Sequence, residues 1–308
     1  MRILITGVHG FVGGNLVKAL KEDNKIYGLD IVTPEKEGVV KTYSWDELEK
    51  RNIPEVDAII HLAGKAHDTK NRSKAQVYFD VNTGLTQKIY DYFRSSSAKK
   101  FIFFSSVKAA ADQVAGDILT EEVVPSPKGP YGESKIKAEE YILGKWPADK
   151  SVYILRPCMI HGPGNKGNLN LLYNVVKRGI PWPLGAFENK RTFTSIDNLC
   201  YVVEGLLTKE VASGIYHMAD DEALSTNELI AIICEATGQM AHIWHLNKKM
   251  MEMVASVGGC LRLPLNKERL AKLTENYVVS NVKIKSALGM DKMPVRAKDG
   301  LIKTIKSF

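Results

Sequence analysis

The chain reads as an α/β protein: a doubly wound parallel sheet with helices on both faces, followed by a smaller mixed α/β region. Three features of the sequence predict it. Arg2-Ile-Leu-Ile-Thr6 is a short apolar run that leads directly into glycines at 7, 10 and 13. Behind them Phe11, Val12, Leu16, Val17 and Leu20 recur at helical spacing, so strand, tight turn and helix follow in order. Short buried-strand runs then alternate with helical patterns as far as Pro157, and the alternation thins beyond it.

The glycines of the first unit have a chemical reason. A chain passing within contact distance of a pyrophosphate has no room for side chains, and the helix N-terminus offers unpaired N–H groups to the anion. Gly7, Gly10, Phe11 and Val12 are therefore candidate cofactor-binding residues, while His9 reads as a turn residue without a role. The second strand, Ile26 to Asp30, ends in an acid about 20 residues beyond the turn. A carboxylate there accepts from a free ribose 2′-hydroxyl and repels a 2′-phosphate, so Asp30 favours NAD over NADP. Its other reading is a strand-end turn former.

Pro34 lies in the next loop, and a short strand is predicted near Val39 to Tyr43. Val56 to Gly64 reads as the fourth strand, with His61 packed inside it. Val77, Val81, Leu85, Ile89 and Phe93, four residues apart, predict one long helix, with Asn82 beside its apolar stripe. Lys100 to Ser105 is the fifth strand and delivers Ser106. A polar loop over 112–129, with Pro125 and Pro127, precedes a helix that begins near Pro130.

On that helix Tyr131 and Lys135 are one turn apart and share a face. A free tyrosine titrates near 10, and a neighbouring ammonium favours the phenolate. Lys135 is predicted to supply that charge, and the Ser106 hydroxyl to hold a substrate oxygen beside the phenol. The three are the candidate catalytic residues.

Ser106, Tyr131-Gly-Glu-Ser-Lys135 and the N-terminal Thr6-Gly-Val-His-Gly-Phe-Val-Gly13 resemble the extended short-chain dehydrogenase/reductases, within them the NAD-dependent nucleotide-sugar epimerase/dehydratase group. The resemblance covers most of the chain. It implies a Rossmann-type NAD domain over 1–156, with a later returning segment near 192–213, and a substrate-binding region over 157–308. It implies that Asp57 contacts adenine, that the backbone at Leu62, Ala63 and Gly64 lines the cofactor, that Asn82 lies near the nicotinamide half, and that Lys135 also bonds the cofactor ribose. Asn82 reads equally as a satisfied core side chain. Lys65 follows Gly64 directly where many family epimerases have the lysine one place later, so it receives no role.

After Ser106 the family's dehydratases carry Thr-Asp-Glu, whereas this chain has Val107-Lys108 and loses the acid and base of water elimination. Many family epimerases have Tyr-Gly where Ala110-Ala111 stands. Further on, Ser151 to Pro157 is a strand, His161 to Asn165 a turn, and Asn168-Leu169 the start of a helix at a position that contacts the nucleotide sugar in the family. Arg191-Thr-Phe-Thr-Ser-Ile-Asp-Asn198 matches the segment whose arginine binds the substrate diphosphate, a task for which a planar guanidinium is suited. Arg269 is a second candidate contact. Trp182 in Pro181-Trp-Pro-Leu-Gly185 is either a base-stacking platform or a packing residue. Ser225 with Glu228 forms a capping box for the helix over 225–237. Met250 to Leu263, apolar with two glycines, reads as a lid, a subunit contact or core packing in preference to a membrane-surface helix. Helical pieces over 281–289 and 300–308 close the chain.

Composition bounds the alternatives. The 308 residues carry a formal net charge of +7, but the lysines are scattered among acids without a basic stripe, which argues against nucleic acid. Cys158, Cys200, Cys234 and Cys260 are far apart, so reduced thiols are expected and no metal site. No uninterrupted apolar run is long enough to cross a bilayer, and the expected location is the cytoplasm, with a homodimer as the expected assembly. The resemblance then implies C4 epimerisation of a UDP-sugar by bound NAD through a 4-keto intermediate. Its rivals are a 4-keto-sugar reductase on the same residues and a catalytically silent protein that binds a dinucleotide or RNA.

Overall fold

The structure, a computed structural model, describes residues 1–66, 74–165, 167–260 and 266–308. Among the described residues nine strands are formed: β1 Arg2–Thr6, β2 Lys25–Leu29, β3 Thr42–Tyr43, β4 Ala58–His61, β5 Lys100–Phe104, β6 Ser151–Pro157, β7 Met159–His161, β8 Phe193–Ser195 and β9 Gly214–Met218. Seven of them make one parallel sheet in the order β3-β2-β1-β4-β5-β6-β9, and β7 pairs with β8 in a separate two-stranded ribbon.

Alternation along each strand fills both faces, as buried parallel sheets require. Ile3, Ile5, Ile102 and Phe104 meet the helices Phe11–Leu20, Ile196–Thr208 and Val282–Leu288. Leu4, Ile59, Phe101 and Phe103 meet the helices Leu85–Ser95 and Pro130–Leu143 on the other side. The chain leaves β1 toward β2 and leaves β4 toward β5, so the order reverses between β1 and β4. That crevice, at the C-terminal ends of the strands, is where an open α/β sheet binds its ligand.

The returning segment extends further than expected. The helix Ile196–Thr208 falls within 192–213, but the strand it delivers is β9, which continues to Met218 and pairs with β6. Ile284 and Leu288 also pack into the same core, so part of the region assigned to substrate completes the sheet. The remainder is a smaller cluster built from Leu169, Tyr173, Phe193, Ile230, Ile233, Leu301 and Ile305. Several elements are shorter than their apolar runs suggest, the third strand keeping only Thr42–Tyr43.

The long helix of the Val77 pattern is interrupted. Ala75–Tyr78 passes into a π-helical stretch, Phe79–Gly84, and then into Leu85–Ser95, while Val77 is exposed. The bonds of Asn82 and Thr83 to Ser134 on the neighbouring helix explain the widened turn, a distortion that concentrates at functional sites.

Beneath the C-terminal ends of β5 and β6 lies a buried ion pair. Arg156 donates from Nε to Glu139 Oε1 (3.0 Å) and from Nη2 to Oε2 (2.5 Å), and the Ser105 hydroxyl also donates to Glu139. Neither charge reaches water. Arg156→Met is therefore expected to strand a buried carboxylate at a cost of about 3–5 kcal/mol. Adding Glu139→Met should recover most of that loss, which urea unfolding of the single and double variants measures.

Candidate active site

The glycine turn closes β1 onto the helix Phe11–Leu20. Gly10 N donates to Gly7 O (3.0 Å), and the helix has no side-chain cap, so its first-turn amides face the crevice without an internal partner. A Cβ at position 13 would lie 2.4 Å from Gly7 O, so helix and turn approach closely only with glycine there. Asp30 follows β2 at the same edge. Its carboxylate accepts from His9 N (3.1 Å) and Ile31 N (2.7 Å), which fixes it beside the turn. His9, whose Nε2 also contacts Thr42 Oγ1, thus helps to hold the acid. An uncapped helix N-terminus, a close glycine turn and a fixed carboxylate together suit a dinucleotide.

A one-way chain of hydrogen bonds leads from this turn to the tyrosine. Thr6 Oγ1 accepts from Leu62 N (3.1 Å) and Ala63 N (2.9 Å) and contacts His61 Nδ1 (2.7 Å). Thr86 donates its hydroxyl proton to Asn82 O (2.6 Å), so it accepts from His61 Nε2 (3.0 Å). These partners assign the proton of His61 to Nε2 and make Nδ1 the acceptor of the Thr6 hydroxyl. Burial, with the charge of Lys135 second, holds the imidazole well below its ordinary value, in agreement with a neutral ring. Asn82 Nδ2 then donates to Ser134 Oγ (2.9 Å), and Ser134 donates to Tyr131 O (2.8 Å). The same amide clamps the peptide of Lys65, accepting from its N–H (2.7 Å) and donating to its carbonyl (3.2 Å). Asn82 is thus a buried side chain with both amide protons and its oxygen bonded.

The catalytic candidates converge at the end of β5. Ser106 caps the short helix Val107–Ala110, accepting from Lys108 N (3.2 Å), and it stands near enough to Tyr131 to draw the phenol down. Pro130 opens the next helix, and Glu133 takes the amide of Gly129 (3.0 Å). Lys135, buried, donates to Phe104 O (2.8 Å). Gly64 lies against it: a Cβ there would sit 2.9 Å from Asn82 Oδ1 and 3.3 Å from Lys135 Nζ.

The expected electrostatics are not those of the protein alone. Burial pushes the Tyr131 phenol above its ordinary value, the bond to Ser106 draws it down, and Tyr78, edge-on at 6.3 Å, pushes it up; Lys135 does not enter. Burial lowers Lys135 itself from 10.5 to about 8, opposed by Glu139. The ammonium is directed at the Phe104 carbonyl, and the phenol keeps its proton at neutral pH.

One expectation needs correction. Asp57 precedes β4 and so lies at the N-terminal edge of the sheet, where it accepts from Arg2 N (2.7 Å) and pairs with Arg2 Nη2 (3.3 Å). The four residues of β4 hold it about 13 Å from the crevice, out of reach of an adenine bound there. The side chain of Leu169 is buried among Tyr173, Val176 and Phe193. Trp182 is wedged between two apolar clusters and is no stacking platform. Arg191 is already engaged: its Nη2 pairs with Glu275 Oε1 (3.0 Å) and its Nε donates to Glu275 O (3.3 Å), so an incoming phosphate has to take the place of that carboxylate. The side chains of Asn168 and Arg269 lie outside the described residues. The capping box of Ser225 and Glu228 is formed.

Sequence reasoning passed over Thr6, Thr86, Ser134 and Glu139. Glu139 had a signal, since it lies one turn beyond Lys135 on the same face. Among the described residues no group of three or more His, Cys, Asp or Glu is placed to hold a metal ion, and no helix is long and apolar enough to cross a membrane.

The model of the NAD dependent epimerase/dehydratase family matches residues 3–219. Over 247 residues the chain is 32% identical to the UDP-glucose 4-epimerase of Vibrio cholerae, covering 74% of this chain and 73% of that protein. Over 300 residues it is 28% identical to the N-acetyl-alpha-D-glucosaminyl-diphospho-ditrans,octacis-undecaprenol 4-epimerase of Escherichia coli O157:H7, covering 92% and 84%. Among solved structures, MoeE5 in complex with UDP-glucose and NAD is similar with a TM-score of 0.77 at 20% identity, covering 100% of this chain and 98% of that one, a likeness of fold.

The buried ammonium has a measurable cost. Lys135→Met should stabilise the cofactor-free protein at pH 7 by about 2 kcal/mol, roughly 3 from relieved charge burial less the lost bond to Phe104 O. Between pH 8 and about 10.5 the unfolded chain binds more protons than the folded one at this position, so the parent gains stability as pH rises. The advantage of the variant should shrink over that window in paired denaturant melts.

Proposed function

The chain belongs to the NAD-dependent epimerase/dehydratase family, and from that premise we propose that it is a nucleotide-sugar 4-epimerase, acting on a UDP-hexose or UDP-N-acetylhexosamine through a ketone at C4. The observation that carries the reading is the convergence of Ser106, which draws the Tyr131 phenol down, with buried Lys135 and Gly64 at the end of β5. Two neighbouring hydroxyls can share a third oxygen, that of the alcohol at C4.

NAD, when bound, supplies the acceptor and then the donor of the C4 hydride, and a positive ring that favours the phenolate. Gly7, Gly10, Phe11 and Val12 would hold its pyrophosphate, Asp30 its adenine ribose, and Leu62, Ala63, Gly64, Asn82 and Lys135 its nicotinamide half. Tyr131 takes the proton of the C4 hydroxyl and later returns it. Ser106, aimed by its capping bond to Lys108 N, fixes the C4 oxygen against the phenol in both directions. Lys135 stays one turn from Tyr131 and keeps the pocket positive while the proton moves. Arg191 exchanges Glu275 for the substrate diphosphate and holds it while the sugar presents its second face.

A second reading, reduction of a 4-keto sugar nucleotide, draws on Ala110-Ala111. These residues are buried, and Tyr277 OH reaches Ala111 O (2.7 Å) in the space beside them, so the site departs from many family epimerases next to Ser106. Incubation with UDP-galactose without added cofactor separates the two readings. Epimerisation yields UDP-glucose, seen by NMR, and Tyr131→Phe should lower kcat by about 10²–10⁴-fold. NADH oxidation in proportion to product, with a 4-keto sugar as the sole substrate, would overturn the proposal in favour of reduction.

A further inference from the structure

The helix Lys248–Cys260 has two apolar faces, and the molecule covers one of them. Met251 and Ala255 are buried in a small cluster with Leu184 and Leu270. Met250, Met253, Val254 and Val257, spaced 0, 3, 4 and 7, form a second stripe at 43, 67, 45 and 51% exposure. The loop that leads into the helix exposes Trp244 (55%) and Met240 (82%), a methionine and an indole that suit a polar–apolar boundary. Four large apolar side chains on one helical face are more than the scattered exposed hydrophobics of an ordinary surface.

The surrounding charge indicates what this face meets. Among the described side chains around it, Lys248, Lys249 and Lys267 are exposed against one exposed acid, Glu252. Lys248 and Lys249 are exposed at the start of the helix. A Met- and Val-rich stripe with Lys249 at its edge, preceded by a loop with an exposed tryptophan, has the make-up of a helix that lies in the headgroup boundary of an anionic bilayer. A protein partner of the same character would have to be both apolar and acidic, whereas a bilayer supplies both properties at once.

Against the sequence expectation of a lid, a subunit contact or core packing, we propose from this exposed stripe that the helix Lys248–Cys260 docks the protein on the surface of an anionic lipid bilayer, peripherally and without crossing it. The docking face belongs to the region that carries Arg191, since Asn189 Nδ2 bonds Leu273 O (3.4 Å) at the end of the next helix. It requires no assumption about the reaction.

Co-sedimentation of the full chain with vesicles tests the proposal. At least tenfold more protein should pellet with phosphatidylglycerol/phosphatidylcholine vesicles than with phosphatidylcholine alone, and 0.5 M salt should reduce that binding. Met253→Glu with Val257→Glu alters only exposed positions, so the variant should melt with the parent and lose vesicle binding. Failure of the parent to pellet with anionic vesicles, or equal pelleting of a folded variant, would overturn the proposal. So would an absence of vesicle binding together with a parent dimer that the variant breaks, because the face would then be an interface between copies of the chain.

Discussion

The hydroxyl of Thr6 is the point on which the site depends. It ends β1, takes the amides of Leu62 and Ala63, and gives its proton to His61. In doing so it draws the loop after β4 against the glycine turn, across the crevice where the strand order reverses. Those amides would otherwise be buried without partners, which costs more than a hydrogen bond returns. The same contacts propagate through Thr86, Asn82 and Ser134 to the helix of Tyr131. The spacing between the dinucleotide turn and the phenol is therefore set by short polar contacts, with the apolar layers on either side holding them in register. Because each member already has its full set of partners, His61 has no acceptor for a second proton, and a charged imidazole would break the chain at its centre.

Much of this arrangement was legible in the sequence. The strand, glycine turn and helix of residues 2–20 lie in one continuous stretch, and their apolar spacing and glycines are local signals. Tyr131 and Lys135 share a helix, so their relation follows from helical geometry alone. Ser106 needed one further step, the recognition that a strand ends just before it. What escaped was non-local. Thr86 and Ser134 look like ordinary helix-surface residues until the fold brings them to His61 and Asn82. The π-helical turn was hidden because Val81, Leu85, Ile89 and Phe93 keep a regular spacing through it, while the bonds that widen it come from the neighbouring helix.

The misplacement of Asp57 is of another kind. Ligands of a parallel sheet gather at the C-terminal ends of its strands, and Asp57 stands before the apolar run Ala58–His61, not after it. Strand polarity, which was readable, argued for an anchor of Arg2 over a ligand contact. In the protein alone burial, not Lys135, leads the balance at Tyr131, for a three-dimensional reason. Sharing a helical face brings two side chains close, but burial acts on each separately, and the ammonium found the Phe104 carbonyl.

The order of donors along Thr6, His61, Thr86, Asn82 and Ser134 has one further consequence. Each hydrogen is committed in the same sense, and the sequence of bonds terminates on the main-chain carbonyl of Tyr131, not on its phenol. Such a line is an insulator: it has no end at which the phenol can load or discharge a proton, and the amide in its middle does not ionise at physiological pH. Proton exchange at the ring oxygen therefore runs outside this line, on the side of the crevice where Ser106 and Lys135 stand.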